Sequence, residues 1–114
     1  MSHPAQFLIG TYIIGSTWKG IPEIHLSSDG TTFESPLALV RMVFKDESGN
    51  TLLTLSSATS GQITITDAAE WKARIEPISS PPFTAGSIRW YIETTDDDDI
   101  VDYYFSGTLQ VNNP

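Results

Sequence analysis

Apolar and polar residues alternate with a period of two along most of this chain, and turn-forming clusters interrupt the alternation about every ten residues. That pattern predicts an all-β fold, an antiparallel sandwich of about seven to eight strands. The clearest element is a long hairpin near the C-terminal end. Ile88, Trp90 and Ile92 share one face of its first strand. On the return, Val101, Tyr103, Phe105, Leu109 and Val111 fall on one parity, and Asp102, Tyr104, Ser106, Thr108 and Gln110 on the other. One face is therefore buried and one solvated. Gly107 interrupts the apolar parity, which predicts a bulge or a close backbone approach at that point.

Upstream, the apolar run from Phe7 to Ile14 contains Gly10 and is followed by Gly15, and predicts a bent edge strand. Pro22, Ile24 and Leu26 share a face, with Pro22 suited to an edge because it has no amide to donate. Ala38, Val40, Met42 and Phe44 against Arg41 and Lys45 read as a central strand. Asp46-Glu47-Ser48-Gly49-Asn50 is a turn cluster, and Leu53 with Leu55 and Ile63 with Ile65 mark two short strands around Ser60-Gly61. Asp67-Ala68-Ala69-Glu70 has the form of a helix capping box. Trp71, Ala73 and Ile75, however, alternate with Lys72, Arg74 and Glu76, which favours a strand and leaves a short helical turn as the alternative. Pro77 ends the segment in either case, and Ser79 to Gly86 then crosses between sheets. With no internal repeat and no linker, residues 7–112 form one domain behind a flexible leader, residues 1–6.

Composition narrows the partners. Six Lys and Arg stand against fourteen Asp and Glu, a net charge of −8 that would be repelled by nucleic acid backbones and by anionic membrane surfaces. No nucleic acid and no membrane partner is expected. The absence of cysteine removes disulfides, thiol catalysis and thiolate zinc sites. The start of the chain lacks the basic and apolar regions of a signal peptide, and no apolar stretch approaches the ~18 residues of a membrane span, so synthesis in the cytoplasm is expected.

Chemistry finds little purchase. The histidines are His3, in the leader, and His25, which alternates outward from Ile24 and Leu26, so neither is placed as a catalytic base. No phosphate-binding glycine loop is present. Trp71 and Trp90 share parity with aliphatic neighbours and read as core, whereas Trp18 stands between Thr17 and Lys19 as either a lid on the core or an exposed contact residue. Asp96, Asp97, Asp98 and Asp99 read first as a solvated turn. Their consecutive spacing is unlike a calcium loop, which alternates its carboxylates and includes a glycine, so they form only a weak calcium candidate. The residues singled out as contacts are Trp18, Tyr91, Asp102 and Tyr104. No enzyme activity, cofactor or resident metal is expected.

Five segments, taken in order, resemble a family of tailed-phage and prophage proteins, the N-terminal domain of the baseplate upper protein and its relatives. They are Gly15-Ser16-Thr17-Trp18, the stretch Pro36 to Phe44, Ser60-Gly61-Gln62-Ile63-Thr64-Ile65, the stretch Thr84 to Ile92, and the stretch Phe105 to Val111. The resemblance spans residues 7 to 112, in turn and core patterns without chemistry. It implies an immunoglobulin-like sandwich serving as a structural or attachment module in a tail, baseplate or fibre. The implied partners are other phage structural proteins, with self-association among the modes of contact, and the implied location is the bacterial cytoplasm at synthesis and the virion afterwards. No stalk or receptor-binding region follows the last strand before Pro114, which favours an accessory or docking piece over host recognition by this chain alone. A different class of reading is a carbohydrate- or small-ligand-binding sandwich with Trp18, Tyr91 and Tyr104 as an aromatic platform.

Overall fold

The structure is a computed structural model that describes residues 5–6, 11–26, 36–97 and 101–114. Among these there is no helix, and none therefore long and apolar enough to cross a membrane. In chain order the strands are β1 (Ala5–Gln6), β2 (Thr11–Ile13), β3 (Thr17–Trp18), β4 (Ile21–His25), β5 (Leu37–Lys45), β6 (Thr51–Ser56), β7 (Ile63–Asp67), β8 (Lys72–Ile75), β9 (Ile78–Ser79), β10 (Gly86–Asp96) and β11 (Val101–Asn112). One sheet runs β1-β11-β10-β5-β6, with β2 also on β11, and the other runs β4-β8-β7. These orders correspond to the G-F-C-C′ and B-E-D sheets of an immunoglobulin-like sandwich.

The small ladder of β3 with β9 extends the second sheet. Trp18 pairs with Ile78 and Ile21 with Ile75 in one continuous register. What interrupts it is Pro77, which cannot donate to a ladder, and Gly20, which the register sets opposite Glu76. Gly20 has φ +70, and a β-carbon there would collide with the Ile75 carbonyl oxygen and lie 2.9 Å from that of Glu76.

The core fills the space between the sheets. Val40, Met42 and Phe44 from β5, Ile88, Trp90 and Ile92 from β10, and Leu109 and Val111 from β11 meet Ile63, Ala73 and Ile75 of the facing sheet. At one end the rings interlock: Trp18 meets Phe44 edge-on at 5.5 Å, Phe44 meets Phe83 at 4.8 Å, and Phe83 meets Tyr12 edge-on at 5.5 Å. Phe83 comes from the connection that crosses between the sheets, so that loop is held by its own aromatic anchor.

Three expectations shift by one residue, each for a backbone reason. In β4 the register slips between Ile21 and Ile24, so Ile21 is buried and Pro22 is exposed, not paired in face with Ile24 and Leu26. In β11 the pairing runs regularly through Gly107, which lies opposite Trp90. The bulge falls instead where Ile92 pairs with Phe105 but Glu93 with Tyr103, making Tyr104 the extra residue. An extra residue flips parity, and Val101 is accordingly 49% exposed, not in the core. In β5 the slip between Thr95 and Asp96 of its neighbour accompanies a buried Leu37 and an exposed Ala38.

At the β11 edge the pairing departs from antiparallel. β1 and β2 run parallel to β11, since the chain lays its first strand beside the last and then crosses into the second sheet. Ala5–Gln6, within the expected leader, takes part in this pairing, and β2 supplies the edge strand expected in the Phe7 to Ile14 run. Residues 7–10 of that run lie outside the described residues.

The segment with two readings is a strand. Trp71, Ala73 and Ile75 are buried in alternation, and the expected capping carboxylate does act, with the Glu70 amide donating to Asp67 Oδ1 at 3.1 Å, but in a turn and not in a helix. Trp71 takes φ 56 at the end of this turn and is 3% exposed. A left-handed tryptophan costs about 1–2 kcal/mol, which burial of so large a ring offsets.

Candidate interaction surfaces

The residues picked out from the sequence scatter. Trp18 is buried at 5% exposure in the aromatic cluster, so it is a core residue and not a contact residue, and the three-ring platform with Tyr91 and Tyr104 loses a member. Its position between polar neighbours is explained by the two-residue strand β3, too short to show an alternation. Tyr91 is half-buried on the outer face of the large sheet, its ring 6.0 Å from the Lys45 Nζ. Asp102 stands opposite Thr94 in the register, and Tyr104 is the bulge residue. The side chains of both lie outside the described part of the structure, as does that of His25, while His3 lies outside the described residues altogether. Of the aspartate run, Asp96 ends β10 and the Asp97 amide donates to the Pro36 carbonyl at 3.2 Å; Asp98 and Asp99 lie outside the described residues. Among the described residues no group of three or more carboxylates and histidines is arranged to hold a metal ion. Trp71 and Trp90 are core, as their parity predicts.

The turn between β5 and β6 is built by one carboxylate. Asp46 Oδ1 accepts the Ser48 and Asn50 amides, each at 2.9 Å, and Oδ2 accepts the Asn50 side-chain amide at 3.3 Å. The Asn50 bonds, with help from Ser48 and Gly49, hold the Asp46 carboxyl below its ordinary value of 3.8. Next in sequence, Glu47 Oε1 accepts the Ser87 amide at 3.1 Å and so pins the turn to the start of β10.

Two surfaces stand out; the first was missed by the sequence reading, and the second includes Tyr91, singled out there, and Ser106 and Thr108 of the polar parity of the last strand. The first is the side of the sandwich formed by the edge strands β6 and β7. From Thr51 to Thr66 the sequence contains no charged residue, although charged residues make up 18% of the chain. That stretch forms β6, the turn after it and β7 as far as Thr66, where a register shift precedes the terminal Asp67. Just past β6, the Ser57 amide donates toward β5, to the Val40 carbonyl at 2.9 Å, so the alternate amides of Ser56 and Thr54 point away from the sheet. Gln62 Oε1 accepts from the Ser56 amide at 3.0 Å, and Thr54 remains on the open edge. Between the start of β5, the turn after β6 and β7, a hollow of about 320 Å³ is lined by Ala38, Leu39, Ala58, Ile63 and Ile65 among others. The absence of charge was visible in the sequence; that β6 and β7 flank the same side was not.

The second is a concavity of about 490 Å³ on the outer face of the large sheet, lined by Lys45, Arg89, Tyr91, Ser106 and Thr108. Arg89 stands directly opposite Lys45, and Tyr91 directly opposite Ser106. One strand-step further, Arg41 and Glu93 are also opposite and form an ion pair at 3.3 Å.

No family model matches the chain, and no curated protein matches it. Among solved structures it is similar to the crystal structure of CopC from Methylosinus trichosporium OB3b, at a TM-score of 0.47 and 8% identity, over 91% of this chain and 87% of that one.

Proposed function

We propose that the protein is a non-enzymatic structural module of a phage or prophage tail, acting through protein–protein contacts on the side of the sandwich formed by β6 and β7. The observation that carries the contact surface is the charge-free stretch from Thr51 to Thr66. Sheet edges ordinarily discourage added strands with charges, prolines or bulges. The β4 edge carries Pro22 and a bulge, and the β11 edge is covered by β1 and β2. β6 has a bulge only at its start, where Leu52 is passed over between Lys45–Thr51 and Phe44–Leu53, and it then runs in register through Ser56 with no charge on it. Depletion of charge marks the centre of protein interfaces, and an open edge accepts a partner strand by main-chain hydrogen bonds.

The tail assignment rests on the sequence resemblance, whose five segments contribute the β3 turn, β5, β7, β10 and β11. A partner unlike this chain is favoured over a second copy, because two molecules of charge −8 repel. The test is recovery of this chain in purified, induced particles from the source cells, at fixed stoichiometry to a tail protein. Particles assembled without it would contradict the proposal.

A further inference from the structure

We infer that the concavity on the outer face of the large sheet binds a carboxylate-bearing sugar, with Arg89 and Lys45 taking the carboxylate and Tyr91 underlying the ring. The inference is independent of the β6–β7 contact side. It begins from a local conflict in the sheet. Arg89 and Lys45 are directly cross-strand neighbours, and like charges in that arrangement destabilise a sheet. The chain has only six cations, yet two are placed against each other. Among the described residues neither is neutralised by a carboxylate: the ion pairs there are Arg41 with Glu93 and Arg74 with Glu76. Glu47, near the start of β10, is engaged by the Ser87 amide. A like-charge pair without a carboxylate partner is the kind of local conflict expected at a functional site, where a ligand can supply the missing charge.

The surroundings select the kind of anion. Lys45 lies against the Tyr91 ring at 6.0 Å, so cation and aromatic face form one surface. Ser106, opposite Tyr91, and Thr108, opposite Arg89, put two small hydroxyl residues along the neighbouring strand. A guanidinium grips a carboxylate through two parallel N–H donors, an aromatic face suits the C–H face of a pyranose, and hydroxyls exchange hydrogen bonds with sugar hydroxyls. A free inorganic anion would use the cations alone. An acidic peptide would use them without needing the hydroxyls. The hollow is open and shallow, so a single sugar residue would bind weakly and a short acidic oligosaccharide more tightly.

The test is a titration of the full chain with trigalacturonate, followed by two-dimensional amide NMR, with neutral galactotriose, triglutamate and acetate as comparison probes. The expected result is a saturable shift confined to the amides around Lys45, Arg89, Tyr91 and Thr108, weakened by salt and absent with galactotriose. Arg89→Ala and Lys45→Ala should each weaken binding by about tenfold, as loss of a charge-assisted contact implies. Arg89 is exposed, so the substitution leaves the fold intact. The double variant Thr54→Lys/Thr66→Lys should bind trigalacturonate as the native chain does. No shift with trigalacturonate, equal shifts with galactotriose, or binding of triglutamate or acetate as tight as that of the sugar would each overturn the inference.

Discussion

Replacing Trp18 with alanine separates a buried anchor from a surface aromatic. The indole is 5% exposed and makes an edge-on contact with Phe44 at 5.5 Å, in a cluster that continues through Phe83 to Tyr12. Truncation of a buried Trp or Phe to alanine costs about 3–5 kcal/mol, of which an edge-to-face pair accounts for roughly 0.5–1.5 kcal/mol. Trp18 sits near one end of the sandwich, on a two-residue ladder, where neighbours and water can partly refill the space. The lower part of the range applies, about 3 kcal/mol. A domain of this size has about 5–15 kcal/mol in hand, so the variant should still fold. With a urea slope of roughly 1–2 kcal/mol/M, the unfolding midpoint should fall by about 1.5–3 M. Trp18→Phe, which keeps the edge-on contact, should lose about 1 kcal/mol. The assay is urea unfolding followed by circular dichroism, because all three tryptophans are buried and fluorescence would change with the substitution itself. A midpoint shift below about 0.3 M for Trp18→Ala would refute the burial argument and return Trp18 to the surface.

Three further outcomes follow from local geometry. Gly20→Ala should destabilise by at least about 2 kcal/mol, since a left-handed φ and a collision with backbone carbonyls act together, and thermal unfolding would show it. Asp46, with its folded pKa lowered, contributes stability that is present above the unfolded value and is lost as pH falls through the lower folded value. The stability gap between the native chain and Asp46→Asn should therefore be full at neutral pH and close in acid below pH 3.8, and a gap that persists unchanged there would count against the turn's role. Thr94 is fully buried on β10, and its Oγ1 has no hydrogen-bond partner among the described residues, so Thr94→Val should be neutral or stabilising by about 1 kcal/mol in urea unfolding.

The parts of the fold that were legible in the sequence are those set by an unbroken period of two. Ile88, Trp90 and Ile92, the central position of β5, and the alternation of Trp71, Ala73 and Ile75 all follow from side chains sorting between two faces. What the sequence hid were the one-residue slips. Nothing about Tyr104 marks it as a bulge residue, while Gly107 three residues on looks like one, because a bulge is set by how two strands meet and not by either strand alone. Trp18 was undecidable for a related reason: β3 is two residues long, and its burial comes from Phe44 and Ile78, both distant in sequence. The candidate surfaces were half visible. The lack of charge from Thr51 to Thr66 and the cations Lys45 and Arg89 are plain in the sequence, but only strand order sets β6 beside β7, and only register sets Arg89 against Lys45.

The proposed function has the β6–β7 side dock this chain into a larger tail assembly. Its most direct test places a photo-crosslinking residue at Thr54 of the full chain, expressed in the source cells, and analyses purified particles after irradiation. The expected result is one crosslinked product with a second virion protein, formed in fixed proportion and abolished by Thr66→Lys on the adjoining edge. Particles that contain the chain but crosslink only from a residue on another face, or particles from which the chain is missing, would contradict it.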